Sequence, residues 1–374
     1  MQRGILKAKE ERRLLRGHLW AYRNEFETLP ELEDGALLDV HSGEGRFVGT
    51  GFYQAEGGIA VRILTHQREK VDASFFRRRV DNAKDFRDAL YPKETVYRWV
   101  YAESDGLPGF VADRYGPLVV ARASSSFYAE AADDLAKAFL AYEGVDGVTL
   151  RIGNESRRFA SVQTPVDCVV NGLRFTVDAD TGQKTGMFLD QRENWTLLER
   201  YAKGKRVLDG HCYTGAWGLH AARDGAARVL GVDTSAPAIE IARGNAEANG
   251  LSEICTFECS DIQQVLARGE TWDVIVLDPP ALARSRAQVK KALGLYQALN
   301  RDAMKALEAG GILVSSCCSQ PVDSAAFLET LKRAATSAQR RVQLLEIRRA
   351  APDHPALLAI PETDYLTCAV LRLI

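Results

Sequence analysis

Five short apolar runs after residue 180 constrain this chain more than any other feature. They are RVLDG (206–210), ARVLGVD (227–233), ICTFECSD (254–261), WDVIVLDPP (272–280) and GILVSSCCS (311–319), and each ends in small or acidic residues. Helical patterns separate them, notably APAIEIARGNAEANG and the segment 288–308. A run without polar alternation has to be covered on both faces, which is the condition of a parallel strand packed between helices. The alternation therefore predicts an α/β fold with a doubly wound, mostly parallel sheet. The closing stretches VQLLEIRR and TCAVLRLI are joined by a loop instead of a long helix. They predict an antiparallel pair at one sheet edge and bring the strand count to seven.

The chain before this sheet has a different texture. GALLDVHS, FVGTGFY and IAVRILT alternate and are joined by the turns GEGR and EGG, as expected of a small β-barrel over 1–72. A basic opening precedes them, with Arg12, Arg13, Arg16, His18 and Trp20. Phe75, Phe76, Val80, Ala83, Phe86 and Leu90 then recur at helical spacing, and strand-like VYRWVYAE and GFVADRYGPLVVARA follow. With a helix near 129–142 and the strand NGLRFTVDA, these predict a small α+β domain over 73–178. The sheet domain takes 179–374. No apolar run approaches the ~18 residues of a membrane span, and the start MQRGILKAKEERRLLRG has no apolar signal-peptide core. Seven cysteines, scattered apart from Cys317-Cys318, form no CxxC pair, and the six histidines show no metal spacing. The expectation is a reduced, cytoplasmic, metal-free protein without membrane contact.

In such sheets ligands bind outside the carboxyl ends of the strands. The first strand leads into Asp209-Gly210-His211-Cys212-Tyr213-Thr214-Gly215-Ala216-Trp217-Gly218, whose small residues let backbone approach a ligand. The GxGxxG fingerprint is missing, which argues against NAD or FAD. Asp233, at the end of the second strand, suits a ribose diol, since two carboxylate oxygens match two hydroxyls. Asp261-Ile262, after the third, suits an adenine amino group and ring face. Asp209, Asp233 and Asp261 at successive strand ends fit an adenosine-containing ligand without phosphates, and the cationic sulfonium of S-adenosylmethionine (SAM) tolerates an acidic pocket. Each Asp taken alone reads equally well as a helix N-cap.

Asp278-Pro279-Pro280 makes a rigid acidic corner suited to gripping a flat heterocycle, or else a plain proline turn. The fifth strand ends in Cys317-Cys318, a candidate nucleophile beside the crevice. A free Cys also packs well in a core, and strand alternation sends the two thiols to opposite faces. Carbon 5 of a pyrimidine is a poor nucleophile until a thiolate adds at C6. A thiol next to an acidic corner therefore points to C5 methylation, with Asp278 assisting at N3. Methylation of an exocyclic amine (guanine N2 or adenine N6) needs no Cys but usually an aromatic ring after the corner. Here Ala281-Leu282 follows.

These motifs resemble a known family over nearly the whole chain. The stretch from Asp180 to Arg192 (DTGQKTGMFLDQR), LDGHCYTGAWG, VDTSAPAIEIARGNAEANG, VLDPPA, the SCCS run and APDHPALLAIPETDYL are similar to bacterial 23S ribosomal RNA cytosine-5 methyltransferases. LLRGHLWAYRNEF resembles the opening of their PUA domain, and ESDGLPGFVADRYG their middle domain. The resemblance implies a class I SAM-dependent methyltransferase sheet preceded by a PUA-like barrel. It implies Cys318 as nucleophile, with Asp278 at the base. It places the cofactor along Gln191, Arg192, Tyr213, Thr214, Asp233, Ser235, Asp261 and Asp278, to which the strand-end reading adds Asp209 and Gly215. Two departures stand out: Cys317 adds a second thiol, and Leu282 replaces a frequent Phe. The implied partner is 23S rRNA or a large-subunit assembly intermediate, and the likeness points to a homodimer that no residue pattern specifies.

With 48 Lys+Arg against 50 Asp+Glu the net charge is −2, so RNA has to be met by a local basic patch. Arg12, Arg13, Arg16 and Arg23 with Trp20 and Tyr22 combine charge with stacking faces. Arg77, Arg78, Arg79, Lys84 and Arg87 extend this patch or, given Asp81 and Asp85 among them, form a salt-bridged helix face. A non-catalytic RNA-binding assembly factor and a small-molecule methyltransferase are the remaining alternatives; the second leaves the N-terminal segments without a task.

Overall fold

In the computed structural model all residues are described except Ser161, Thr181, Gln183 and Lys184. Three positions of the DTGQKTGMFLDQR stretch therefore lie outside the described residues. The chain forms two compact units. One comprises Met1–Cys168, Val177–Met187 and Pro352–Thr363, and the other Val169–Thr176, Phe188–Ala351 and Asp364–Ile374.

The first unit opens with β1 (Gln2–Leu6), α1 (Glu11–Leu15), β2 (Trp20–Tyr22), β3 (Phe26–Thr28), β4 (Leu37–His41), β5 (Phe47–Tyr53) and β6 (Ile59–Thr65). These strands form one sheet in the order β2-β6-β5-β4-β1-β3. The alternating strands β4 to β6 fall where the sequence predicts them; β1, read from sequence only as a basic opening, pairs parallel to β4. Next come α2 (Ala73–Leu90), β7 (Val96–Tyr101), β8 (Phe110–Tyr115), β9 (Leu118–Ala123), α3 (Phe127–Glu130), α4 (Ala132–Leu140), β10 (Gly147–Ile152) and β11 (Glu155–Phe159). The α2 helix starts where the Asp72 carboxylate accepts from the Ser74 and Phe75 N–H groups, a cap typically worth ~1 kcal/mol. Its apolar stripe packs Phe75, Phe76 and Val80 into one core with Trp99 and Phe110, and also with Phe52 and Leu64 of the preceding sheet. Phe52 stacks on Phe127 at 4.7 Å. Barrel and α+β segments thus share a hydrophobic core.

The hairpin strands β12 (Val166–Val170) and β13 (Leu173–Val177) follow. The second unit contains α5 (Arg192–Trp195), α6 (Leu198–Tyr201), β14 (Arg206–Gly210), α7 (Ala216–Arg223), β15 (Arg228–Asp233), α8 (Ala236–Ala248), β16 (Cys255–Cys259), α9 (Ile262–Leu266), β17 (Trp272–Leu277), α10 (Val289–Ala306), β18 (Leu307–Cys317), α11 (Ser324–Ala338), β19 (Val342–Arg348) and β20 (Thr367–Leu373). The seven strands run β16-β15-β14-β17-β18-β20-β19. The first five are parallel, and β20 and β19 close one edge antiparallel. Leu208, Ile275, Leu277 and Leu313 are buried against Tyr296, Met304, Phe327 and Leu331 of the covering helices. Each such burial is worth about 1.5–3 kcal/mol. The chain leaves β14 for β15 on one side and reaches β17 on the other. This reversal opens a crevice at the carboxyl ends of β14 and β17.

Candidate functional site

The loop after β14 is the most strained part of this crevice. His211 and Tyr213 both take left-handed backbone conformations, with φ of 64° and 50°. Such conformations are uncommon for residues with a side chain and cost of order 1 kcal/mol each. Gly215 follows at φ 87°, and a Cβ there would lie 2.9 Å from the Phe257 ring, so only glycine fits. Tertiary hydrogen bonds hold the loop in place. The Cys212 N–H donates to the Val232 carbonyl at 3.0 Å, the Tyr213 N–H to Asp233 Oδ2 at 3.0 Å, and Asn245 Nδ2 to the carbonyl of buried Thr214 at 3.0 Å. Asp233 Oδ1 accepts from the Ser235 N–H at 2.9 Å, and the Ser235 side chain caps α8. Asp233 therefore ties two strand-end loops together.

Asp209 sits beneath this loop. It is fully buried, and its Oδ2 accepts from the Gly218 N–H at 2.8 Å. Burial pushes its carboxyl pKa up to about 8, the Gly218 bond opposes this, and the Asp278 and Asp233 charges add to it. Its Oδ1 has no hydrogen-bond partner among the described residues, and neither has His211 Nε2. Burial also lowers the His211 pKa. Asp261 is exposed and caps α9 through the Gln263 N–H at 2.7 Å. The adjoining Ile262 covers Gly210, where a Cβ would approach it to 2.9 Å.

Asp278 is gripped from two remote segments. Gln191 Nε2 donates to its Oδ1 at 2.9 Å and to Ser316 Oγ at 3.0 Å. The Trp217 indole N–H donates to its Oδ2 at 3.0 Å. Asn194 Nδ2 in turn donates to Gln191 Oε1 at 2.6 Å. Arg192 is buried beside Gln191, and its carbonyl accepts from Asn171 Nδ2 at 2.9 Å. One residue past Asp278, the Pro279 carbonyl accepts from the Cys318 thiol at 3.4 Å. Cys318 is half-buried, whereas Cys317 is 1% exposed within the core and burial raises its thiol pKa. Ser319, fully buried, fixes the following loop: its Oγ accepts from the Leu282 and Ala283 N–H groups at 2.9 and 3.1 Å and lies 3.1 Å from the Tyr296 hydroxyl.

The structure thus gathers Gln191, Tyr213, Thr214, Gly215, Asp233, Ser235, Asp261, Asp278 and Cys318 at the strand ends of one unit, with Asp209 below them. Sequence reasoning did not single out Trp217, Asn194, Ser316 or Ser319. Trp217 lay inside the quoted LDGHCYTGAWG run, but nothing in spacing shows that its indole meets a carboxylate 61 residues away.

The basic candidates divide. Arg12 and Arg16 are exposed. Arg13 turns inward to Glu25 at 2.6 Å and to the Trp20 carbonyl at 2.8 Å. The Trp20 indole N–H donates to Glu103 at 2.8 Å, with Arg62 over its ring at 5.4 Å. Arg23 reaches the Tyr53 hydroxyl and the Gln54 carbonyl. On α2, Arg77 pairs with Asp81, Arg78 with Glu69 and Lys84 with Asp88, while Arg87 is buried on Asp105. Most of that helix is therefore a salt-bridged face. Among the described residues no cluster of three or more His, Cys, Asp or Glu is disposed around a metal, and no helix is long and apolar enough to cross a membrane.

The chain is similar to known proteins over almost its whole length. The PUA-like domain family matches residues 5–66, and the S-adenosylmethionine-dependent methyltransferase family matches residues 159–359. Those matches define the class, a SAM-dependent methyltransferase joined to a PUA-like domain. Two relatives named "Ribosomal RNA large subunit methyltransferase I" align over almost the full length. The one from Shewanella denitrificans is 37% identical and that from Shewanella frigidimarina 36%, each alignment covering 98% of both chains. The chain belongs to the ribosomal RNA large subunit methyltransferase I family. The solved structure of SMU.776, described as a methyltransferase complexed with SAH, has the same fold with a TM-score of 0.89, covering 100% of both chains at 22% identity.

The residues present fit SAM. Among the described residues neither Asp233 nor Asp261 is in an ion pair, and Asp233 spends only one hydrogen bond per oxygen on backbone. Buried Asp209 Oδ1, near the end of β14, and His211 Nε2, in the loop that follows, have no hydrogen-bond partner among the described residues. That donor and acceptor set suits ribose hydroxyls, an adenine edge and a cationic sulfur.

Proposed function

We propose that this protein methylates carbon 5 of a cytosine in 23S ribosomal RNA through a covalent bond between Cys318 and C6. The family assignment supports SAM-dependent methylation of large-subunit rRNA. The thiol geometry supports the finer reading: Cys318 is half-buried against the Pro279 carbonyl, one residue from Asp278, while Cys317 is locked in the core.

Bound SAM supplies an electrophilic methyl group on a cationic sulfur, held by Gln191, Arg192, Tyr213, Thr214, Asp233, Ser235 and Asp261. The Cys318 thiolate adds to C6, and the C5=C6 electron pair moves toward C5, which becomes nucleophilic. Asp278, its carboxyl group fixed by Gln191 and Trp217, gives a proton to N3 as the thiolate adds, so that negative charge does not build up on the ring. Transfer of the methyl group to C5 would break its bond to the sulfonium sulfur and leave S-adenosylhomocysteine; a base then takes the C5 proton, the C5–H electrons re-form the double bond, and the C6–S bond breaks to return the Cys318 thiolate. Division of labour follows the segments: RNA docking by 1–72, support by 73–178 and chemistry by 179–374. The same reading carries naked 23S rRNA or an assembly intermediate as substrate, a homodimer, and a cytoplasmic location.

Nucleoside mass spectrometry of treated rRNA tests the reading. Cys318→Ala should abolish formation of 5-methylcytosine while SAM binding by calorimetry stays intact, and Cys317→Ala should keep the activity. An active Cys318→Ala variant, or a methyl group on a purine nitrogen, would overturn it.

A further inference from the structure

A second cavity lies wholly within the first unit, between β6, the segment 65–69 and α2, with a volume of about 380 Å³. That is within the ~300–1,000 Å³ typical of small-molecule sites. Leu19, Leu64 and Phe75 give it apolar wall, and Arg79, Asn82, His66 and Gln67 give it polar groups. Its charge is unbalanced. The one acid in the lining, Glu69, already accepts from Arg78 at 2.6 Å and from the Thr65 hydroxyl at 2.7 Å. Arg79 has no such partner: among the described residues its one hydrogen bond runs from Nη2 to the Leu64 carbonyl at 3.1 Å, and its Nε is buried with none. The guanidinium lies 4.8 Å over the Phe75 ring and against Gly106, where a Cβ would meet it at 3.1 Å. Burial lowers the Arg79 pKa, and the Glu69 charge, shared with Arg78, offsets this only in part, so a further anion would be favoured. His66 Nδ1 is 2.8 Å from the Val48 carbonyl and donates to it. A half-buried planar cation with no carboxylate hydrogen-bonded to it, beside two amides and an imidazole, matches a phosphate joined to a flat base with a hydrogen-bonding edge.

We infer that this cavity captures one unstacked nucleotide of the RNA substrate, with phosphate on the Arg79 guanidinium and the base edge against Asn82, Gln67 and His66. The inference deepens the rRNA reading and rests on it. It also gives Arg79 a task distinct from its neighbours on α2, which are neutralised.

The test uses the full chain and a fluorescein-labelled single-stranded oligoribonucleotide, with anisotropy read across a salt series. Arg79→Gln should weaken binding about ten-fold, equivalent to ~1.4 kcal/mol, and lower the log–log salt slope by about 0.7, the value for one phosphate contact on a single strand. Asn82→Asp is the variant protected from misfolding, because Asn82 is exposed on α2. It offers Arg79 an internal partner and should weaken binding several-fold. Calorimetric SAM binding should be unchanged in both. Wild-type RNA binding that neither variant alters would overturn the pocket assignment and leave the rRNA reading standing. A wild-type chain that binds no RNA even at low salt would overturn both. Competition by micromolar CMP or AMP that Asn82→Asp abolishes, without matching loss of oligonucleotide binding, would assign the pocket to free nucleotides and refute the RNA assignment.

Discussion

Replacing Trp217 with Phe tests the grip on Asp278. The indole is buried on α7, and its one polar act is the 3.0 Å bond to Asp278 Oδ2. Phe keeps a buried ring and removes the donor. A hydrogen bond to a charged group contributes about 1.5–3 kcal/mol. At ~1.36 kcal/mol per tenfold, its loss corresponds to about ten- to hundred-fold in rate if the carboxylate must be fixed in the transition state. Gln191 still holds Oδ1 at 2.9 Å, so the lower figure, near ten-fold, is expected. Gln191 is the less clean probe, since it also bonds Ser316 and Asn194 and its removal would loosen β18 and the segment 189–195 as well. The assay is single-turnover transfer of labelled methyl from SAM to rRNA, with SAM affinity from calorimetry. Trp217 acts as a positioning residue, so the loss should fall on the methyl-transfer rate while the Kd for SAM moves less than two- to three-fold. A wild-type rate, or a loss carried entirely by SAM affinity, would refute the reasoning.

Two further expectations concern the walls of the crevice. The Asp209 pKa, ordinarily 3.8, stands at about 8 in the folded chain. Between these values the unfolded chain has released a proton that the folded chain retains, so stability falls as pH rises, by up to ~1.4 kcal/mol per pH unit. Asp209→Asn should flatten that slope between pH 5 and 8 in urea unfolding; identical slopes in both proteins would show that Asp209 ionises normally. Ser319→Ala leaves the half-buried Leu282 and buried Ala283 N–H groups without acceptors, which at about 1–3 kcal/mol each predicts roughly 2–6 kcal/mol of lost stability. Denaturant midpoints measure this, and a loss under 1 kcal/mol would mean that the loop after Pro280 repacks at little cost.

Much of the architecture was legible because strand and helix patterns are local. The runs at 206–210, 227–233 and 272–280 need both faces covered, and that alone excludes an open antiparallel meander. β1 escaped detection because five residues, QRGIL, with two buried positions carry too little alternation to distinguish a strand from a basic tail. The basic opening is partly occupied within the fold. Arg13 and Trp20 have the composition of an RNA contact, yet their polar atoms are taken by Glu25 and Glu103, 12 and 83 residues away. Charge counts cannot see such pairings.

The sequence by itself determined the alternating sheet, the acids at its strand ends and the presence of two adjacent thiols, since these depend on residue type and near-neighbour periodicity. Strand alternation was the reason to expect the thiols to face opposite ways, but β18 ends at Cys317 and Cys318 lies in the segment after it. Only the tertiary structure decided that Cys317 meets the α10–α11 core and Cys318 the Pro279 carbonyl, because that depends on which sheet face those helices cover. It alone brought Gln191 and Trp217 to Asp278 and tied Glu69 to Arg78 and Thr65 instead of to Arg79, because hydrogen bonds and charge balance are settled by contacts between segments apart in the chain.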